Sequence, residues 1–212
     1  DEGDAIDVVY LDFSKAFDKI SHSKLLLKLQ AHGITGKVKS WIENWLTGRK
    51  QYVSVNGAMS DEKPVTSGVP QGSVLGLLLF VIFINDLDEA AKKLDTLRKF
   101  ADDTKGGKKV LSQKDADDFQ DSLNSLIKWS KDWSMDFNIK KCKIMHFGRR
   151  NQNFKYHMDG VQLSEVDCER DIGVCVKSNL KPTQHCIEST GRARTVLGQI
   201  SRCFHYRDTV VF

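Results

Sequence analysis

The feature that most constrains this chain is the run from Val74 to Ile84, in which no charged or polar side chain occurs. It falls well short of the roughly 20 residues that a membrane-spanning helix requires. Pro70-Gln71-Gly72 stands before the run and Asn85-Asp86 follows it. We therefore predict a helix from about Ser73 to Lys92, with its uniformly apolar first half deep in the core.

The rest of the chain mixes short β-branched runs with amphipathic helical patterns. Strands are predicted at 7–11, 52–55, 97–100, 144–147, 156–158 and 172–176, and helices at 21–31, 38–46, 115–133 and 182–204. The 40% hydrophobic and 28% charged residues are ordinary for a globular protein. Because strands and helices do not alternate strictly, an α+β fold is expected, with helices packed on one face of a sheet.

Charge and cysteine usage narrow the classes of partner and compartment. The formal charge is +4, and basic residues concentrate at 140–155 and 177–207. Such stripes suit nucleic-acid phosphates or simply form a solvated basic face, and charge alone leaves both open. Five cysteines without a CxxC pair argue against a disulfide framework and favour a reducing, intracellular setting.

Acidic residues follow two of the predicted strands. Asp12 ends the run 7–11, and Asp102-Asp103 follow the run 97–100. If the two strands are neighbours, their ends bring Asp12 and Asp102 together. Carboxylate oxygens are the ligands that Mg²⁺ prefers, and two such ions support phosphoryl transfer. A second pair, Asp117-Asp118, is assigned to a solvated first helical turn.

Five segments, in the same order along the chain, resemble the motifs of reverse transcriptases from non-LTR (LINE-type) retrotransposons. Their sequences are most similar to those of the chicken-repeat and jockey-like elements. The first three are YLDFSKAFD at 10–18, SGVPQGSVLG at 67–76 and FADDT at 100–104. NIKKCK at 138–143 resembles the lysine motif that follows them, and DIGV at 171–174 resembles the primer grip. The resemblance covers essentially the whole chain. It implies a polymerase palm (an antiparallel sheet with helices on one face) with partial fingers at 1–176, and the start of a thumb at 177–212.

The resemblance also implies roles for individual residues. Two Mg²⁺ ions, or Mn²⁺, would be held by Asp12, Asp102, Asp103 and the backbone carbonyl of Phe13. Lys141 would approach the departing pyrophosphate, with Lys140 and Lys143 as open alternatives. The remaining roles are exclusion of a 2′-hydroxyl by Phe17, contact with the incoming nucleotide by Pro70, Gln71 and Gly72, and primer binding by Ile172, Gly173 and Val174. Without the motif, Phe17 is a core aromatic and 70–72 a turn that opens a helix.

The implied activity is RNA-directed DNA synthesis, in which a primer 3′-hydroxyl attacks a deoxynucleoside triphosphate. The expected partners are an RNA template, a DNA primer and dNTP, with no membrane, inside the cell and in the nucleus for the parent element. From the resemblance, the part of the fingers that precedes the first motif and the endonuclease of the full element are expected to be missing from this chain. Leu77 stands where proline is usual, and Lys105–Lys109 is unusual enough to suggest decay. The alternatives are an inactive remnant that at most binds nucleic acid, and a viral RNA polymerase, whose Gly-Asp-Asp signature is absent.

Overall fold

The computed structural model describes residues 3–203. In chain order, its elements are β1 (Ile6–Leu11), α1 (Ala16–Lys19), α2 (His22–Ala31), α3 (Gly36–Leu46), β2 (Lys50–Gln51), β3 (Ser54–Val55), β4 (Ala58–Met59), β5 (Lys63–Pro64), α4 (Val74–Phe83), α5 (Leu87–Ala90), β6 (Thr96–Phe100), β7 (Asp103–Lys109), α6 (Gln113–Trp133), β8 (Lys143–Phe147), β9 (His157–Met158), β10 (Val161–Gln162), β11 (Ser164–Glu165), β12 (Cys168–Asp171), β13 (Val174–Lys177) and α7 (Thr183–Cys203).

A five-stranded sheet in the order β11-β8-β1-β7-β6 forms the centre of the first part of the chain. Strand β1 lies in the middle and pairs antiparallel with both β7 and β8, and β6 pairs antiparallel with β7. Only the edge strand β11 runs parallel to its neighbour β8. The predicted α+β fold with an antiparallel sheet is confirmed, with one parallel strand added at its edge.

The core lies on one face of this sheet. Asp7, Val9 and Leu11 alternate along β1 and are all buried, whereas Ile6 is exposed. Helices supply the opposing surface with fully buried side chains, among them Leu25 and Leu29 of α2, Leu79, Phe80 and Phe83 of α4, and Phe119, Leu123 and Leu126 of α6. This alternation is expected of a strand with one face against helices.

Helix α4 differs from its prediction in two ways. The helix ends at Phe83 instead of continuing to Lys92, and a short α5 follows. Asp86, in the break, accepts hydrogen bonds from Lys28 and from the Trp129 indole, which draws the chain out of the helical path. In addition, α4 is not buried all round. Its outer face exposes four aliphatic side chains: Val74, Leu77, Leu78 and Val81.

Gly106 of β7 is explained by packing. A Cβ built on Gly106 would lie 2.5 Å from Leu94 Cδ1 and 3.2 Å from Leu97 Cδ1. The segment Lys105–Lys109, which the sequence suggested was decayed, pairs in unbroken register with β1. Gly106 therefore leaves room for the side chains of Leu94 and Leu97.

The chain divides into two compact units, Asp1–Glu165 and Val166–Phe212. In the second unit, β12 and β13 form a hairpin that a Cys168–Cys175 disulfide crosslinks, and Arg170 pairs with Glu188 of α7 at 3.0 Å. The inference from the odd cysteine count was therefore wrong: two cysteines near each other on paired strands can bond whatever the total.

The assignment of palm and fingers to 1–176 and of a thumb to 177–212 remains a prediction. Phe204, at the end of the predicted last helix, and Arg207, in the second basic stripe, lie outside the described residues. Within residues 3–203, no helix is both long enough and apolar enough to cross a membrane.

Candidate active site

The strand register carries the predicted acidic residues to the same end of the sheet. Leu11 of β1 is opposite Thr104 of β7, so Asp12 comes next to Asp103. Phe100 is opposite Asp103, and the two-residue turn between β6 and β7 consists of Ala101 and Asp102. We call this region, formed by residues 11–12 and 100–104, the Asp12 end of the sheet.

The turn that presents Asp102 is conformationally strained. Ala101 has φ of 52°, in the left-handed region that residues with a Cβ rarely adopt. Such positions persist where the surroundings impose them, and they are frequent at functional sites. The turn therefore places Asp102 at a sharp corner just beyond the sheet.

Asp12 has a fixed backbone and a loosely held carboxylate. Its backbone carbonyl accepts a hydrogen bond from the Asn138 amide at 2.7 Å, and its amide lies 3.5 Å from Cys142 Sγ. The Lys141 ammonium approaches Asp12 Oδ2 at 3.5 Å, with both side chains substantially exposed. An exposed pair at this distance is weak, so the carboxylate remains accessible to another cation.

The backbone carbonyl of Phe13 points away from the segment that pairs with it. Phe13 and Phe137 form an isolated antiparallel bridge, and the flanking hydrogen bonds run from Ser14 N to Asp136 O and from Asn138 N to Asp12 O. Phe13 and Phe137 thus form a non-hydrogen-bonded pair, in which the carbonyl of Phe13 points away from Phe137. The buried Phe13 ring stacks on Phe137 with centroids 4.5 Å apart, which fixes this orientation.

The donor set at this end suits a hard divalent cation without enclosing one. Within residues 3–203, no three His, Cys, Asp or Glu side chains lie close enough together to hold a metal ion. The acidic residues at this end supply oxygen donors, which Mg²⁺ prefers while keeping several waters and substrate oxygens among its ligands. The residues therefore fit an open magnesium site that a substrate completes. The second acidic pair lies within α6, where Asp118 pairs with Lys93.

The Cys142 thiol is an unforeseen part of this site. The residue is fully buried, and burial raises the pKa of its thiol to about 11. The thiol therefore stays protonated at neutral pH and serves to pack and support the Asp12 backbone. Nothing in the local pattern of the lysine motif distinguishes this cysteine from a core residue.

A network of hydrogen bonds holds α1 against the segment that precedes α4. The Phe17 and Ile20 carbonyls accept from the amides of Val69 and Gly68, each at 2.8 Å. Ser67 Oγ donates to the Asp18 carbonyl at 2.8 Å. Two of the predicted nucleotide contacts, Phe17 and the start of 70–72, are therefore fixed relative to each other.

Phe17 itself is half-buried, and its ring stacks on Phe80 of α4 with centroids 4.4 Å apart and planes inclined by 19°. It thus belongs partly to the core, as the simpler interpretation held, and partly to the surface. Gln71 and Gly72 are exposed, and the Pro70 carbonyl accepts from Ser73 Oγ at 2.8 Å.

An open pocket of about 540 Å³ adjoins these residues. Three basic residues, one acidic residue, Gln51 and the loop before α4 line it: Lys15, Asp18, Arg49, Lys50, Gln51 and 64–71. The basic residues outnumber the single acid, so the pocket favours an anion.

The predicted primer-binding residues lie in the second unit. Ile172 and Gly173 form the turn between β12 and β13, both with positive φ. The side chains of Ile172 and Val174 are 60% and 47% exposed. The hairpin therefore presents two aliphatic side chains at its tip.

Three supporting residues were not predicted as part of the site: Gly68, Phe80 and Cys142. A glycine within a loop that carries a motif is a usable signal for close backbone approach. The roles of Phe80 and Cys142 depend on contacts with residues 63 and 130 positions away, which no local periodicity reveals.

Comparison with known proteins supports one family. Residues 3–189 match the family model described as reverse transcriptase (RNA-dependent DNA polymerase). The RNA-directed DNA polymerase from mobile element jockey of Drosophila melanogaster is 26% identical over 202 residues, covering 91% of this chain and 22% of that protein. The jockey polymerase of Drosophila funebris is 31% identical over 184 residues, covering 83% of this chain and 20% of that protein. The chain thus spans about a fifth of the length of these relatives.

Solved structures give the same fold. A telomerase from Candida tropicalis in complex with a TWJ fragment of telomeric RNA matches 84% of this chain and 30% of its own, with a TM-score of 0.56 and 12% identity. The apo form truncated from its C-terminal domain matches 76% of this chain and 34% of its own, with a TM-score of 0.54 and 14% identity. At these identities the likeness concerns the fold alone, which is that of a polymerase palm.

Proposed function

Since the chain belongs to the reverse transcriptase family, we propose that it is the palm-centred part of an RNA-directed DNA polymerase from a non-LTR retrotransposon. The reaction would join a deoxynucleoside triphosphate to a primer 3′-hydroxyl, directed by an RNA template. One observation carries the proposal most directly: the register of β1 with β7, which places Asp12 beside the Asp102-Asp103 turn.

The ion-binding role is proposed for Asp12, Asp102, Asp103 and the carbonyl of Phe13. A divalent cation held there would activate the primer hydroxyl and offset negative charge on the phosphates, and a second ion, also Mg²⁺ or Mn²⁺, would act on the leaving side. The half-exposed carboxylate of Asp12 and the outward carbonyl of Phe13 support this assignment. The strained turn at Ala101 would hold Asp102 in position before substrate arrives.

The nucleotide would lie between the Asp12 end of the sheet and the basic pocket. Lys15 and Arg49 line that pocket together with Pro70 and Gln71, and their cationic groups suit phosphate oxygens. The Lys141 ammonium, already close to Asp12, would stabilise charge on the departing pyrophosphate. The Phe17 ring would face the sugar and exclude a 2′-hydroxyl, and the exposed Gln71 and Gly72 would contact the base and template.

The template and primer would follow the basic segment 140–155, where phosphate contacts would supply most of the affinity. Ile172, Gly173 and Val174 at the tip of the β12–β13 hairpin would contact the primer, which their exposure permits. The remnant alternative differs from this proposal in one testable way. It predicts nucleic-acid binding without synthesis.

The test is primer extension by the purified chain on an RNA template with Mg²⁺ and dNTP. Asp102→Ala is expected to abolish extension while the circular dichroism spectrum stays unchanged. Asp117→Ala is the matched control, because it removes one carboxylate from the other Asp-Asp pair, on the exposed side of α6. Extension that survives Asp102→Ala would contradict the ion-binding assignment. A folded wild-type chain that binds the primer–template without extending it would support the remnant instead.

A further inference from the structure

The contact between Phe17 and Phe80 has a consequence for sugar selection. We infer that Phe80 is a positioning residue that holds the Phe17 ring in the place from which it excludes a 2′-hydroxyl. The inference deepens the proposed function and rests on it. It assigns a specificity role to a side chain that is itself fully buried and cannot reach a substrate.

Phe17 lies on an element that cannot hold its ring in place alone. Helix α1 has only four residues, and Lys15 at its start has φ of 54° with no side-chain cap. One helical turn by itself is not stable in water, so its geometry must come from outside. The ring is half-buried and packs against the core at its inner side.

The backbone of α1 is clamped by the loop before α4. Gly68 has φ of +87°, and a Cβ built on it would lie 2.7 Å from the carbonyl oxygens of Phe17 and Asp18. Only glycine allows this approach, which lets Gly68 N and Val69 N donate to Ile20 and Phe17. His22 Nε2 lies 2.8 Å from the Gly68 carbonyl, which accepts the bond and closes the clamp.

The backbone clamp still leaves the Phe17 side chain free to rotate. Its ring is restrained by Phe80, whose plane is inclined by only 19° at a centroid separation of 4.4 Å. Phe80 is 0% exposed and belongs to α4, the helix that supplies the centre of the core. The support is therefore much stiffer than the surface ring that it carries.

Discrimination between the two sugars depends on how rigidly the Phe17 ring is held. Deoxy- and ribonucleotides differ by one hydroxyl, so the factor by which an apolar wall discriminates between them depends on how little room it leaves for that hydroxyl. A wall that yields by a few tenths of an ångström loses much of that factor, because functional side chains must be held within about 0.5 Å of their productive geometry. A mobile Phe17 would accordingly admit ribonucleotides.

The experiment compares kcat/KM for dGTP and GTP in primer extension by the full chain. Phe80→Leu keeps an apolar side chain but removes the stacking ring, and it is expected to lower the dGTP/GTP ratio about tenfold, or about 1.4 kcal/mol. The ratio falls because GTP is used better and not because both nucleotides are used worse. In a Phe17→Ala background, which already lacks the wall, Phe80→Leu should leave the ratio unchanged.

Phe83→Leu is the matched control. Phe83 lies on the same helix, is also 0% exposed, and packs against Trp129 and Trp133 instead of Phe17. The substitution should cost similar stability and leave the dGTP/GTP ratio at the wild-type value. If Phe80→Leu does not fold, Phe80→Met, closer in volume, takes its place.

Three results would overturn the inference. Phe80→Leu with the wild-type ratio, or the same shift in both leucine variants, rejects it alone and leaves the proposed function standing. If the wild type does not extend primers, the same ratio is taken from dissociation constants measured by calorimetry with Mg²⁺. A wild type that discriminates in neither assay rejects the inference and the proposed function together.

Discussion

Two aspartates, Asp7 within β1 and Asp12 directly after it, differ in burial and in the partners of their carboxylates. Asp7 is fully buried, and its carboxylate is 2.6 Å from His146 Nδ1, 2.7 Å from Asn151 Nδ2 and 2.5 Å from the Tyr156 hydroxyl. Asp12, five residues on, is 38% exposed, and the Lys141 ammonium lies 3.5 Å from its carboxylate. Asp7 faces the core with Val9 and Leu11, whereas Asp12 lies just beyond the last residue of β1.

The contrast shows how one short stretch of chain holds a carboxylate that the protein surrounds and another that stays accessible to solvent. Three donors surround Asp7, so its charge is satisfied by the protein and nothing is left for a ligand. Burial and the hydrogen bond to Asp7 raise the pKa of Tyr156 well above its usual range, so this phenol stays a donor. Asp12 has a fixed backbone but few side-chain partners, which is the condition for binding something that arrives later.

The largest expected effect tests the Asp12 half of this contrast. Asp12→Asn should lower the rate of primer extension about 10⁴-fold, roughly 5–6 kcal/mol of transition-state stabilisation, because it removes a charged oxygen ligand. The free energy of unfolding, measured by urea denaturation, should change by less than about 0.5 kcal/mol, as for an exposed substitution. A variant with near-normal extension would place the ion-binding role elsewhere.

Asp7→Asn should have the opposite pattern of effects: a large loss of stability and little change in the rate of primer extension. Replacing one oxygen by an amide turns a donor toward other donors and removes the charge that the network surrounds. The free energy of unfolding should fall by about 3–4 kcal/mol, measured by urea denaturation, while extension per folded molecule stays near wild type. Tyr156→Phe, which deletes only one of the three donors, should cost less. Equal stability of Asp7→Asn and wild type would mean that the network contributes little.

A buried charge of opposite sign gives a third, smaller test. Lys28 is 4% exposed, and its ammonium contacts Asp86, the Phe83 carbonyl and the rings of Phe83, Trp129 and Trp133. Burial lowers the pKa of Lys28 to about 8 from an ordinary 10.5. Between these two values the unfolded chain binds more protons than the folded one, so the contribution of Lys28 to stability rises with pH.

The expected gain is up to about 3 kcal/mol between pH 8 and 10.5, and below pH 8 the dependence vanishes because both states are protonated. Lys28→Met, similar in length but uncharged, provides the reference against which other titrations cancel. The measurement is the difference in free energy of unfolding between the two proteins across that pH range. A constant difference would show that the charge is better solvated than its burial indicates.

The sequence pattern predicted the helices and strands that depend mainly on their own residues. The amphipathic helix at 115–133 is α6, extended by two residues because Ser112 and Asp115 form a capping box. The strands before Asp12 and before Asp102 were likewise predicted from their own residues. The break at Asp86, the aromatic surroundings of Lys28 and the donors to Asp7 were not. Each depends on partners 43 to 149 residues away along the chain.

The outer face of α4 also affects how molecules of this chain meet one another. The net charge of +4 gives a mild mutual repulsion, but the stripe of Val74, Leu77, Leu78 and Val81 contributes none of it. When two molecules meet through this stripe, the apolar surface that they bury stabilises the contact by about 25 cal/mol for each Å² removed from water. Added sulfate strengthens that attraction while it screens the repulsion. Colloidal stability should therefore decline with salt and concentration together, and low ionic strength is the condition that keeps the chain dispersed.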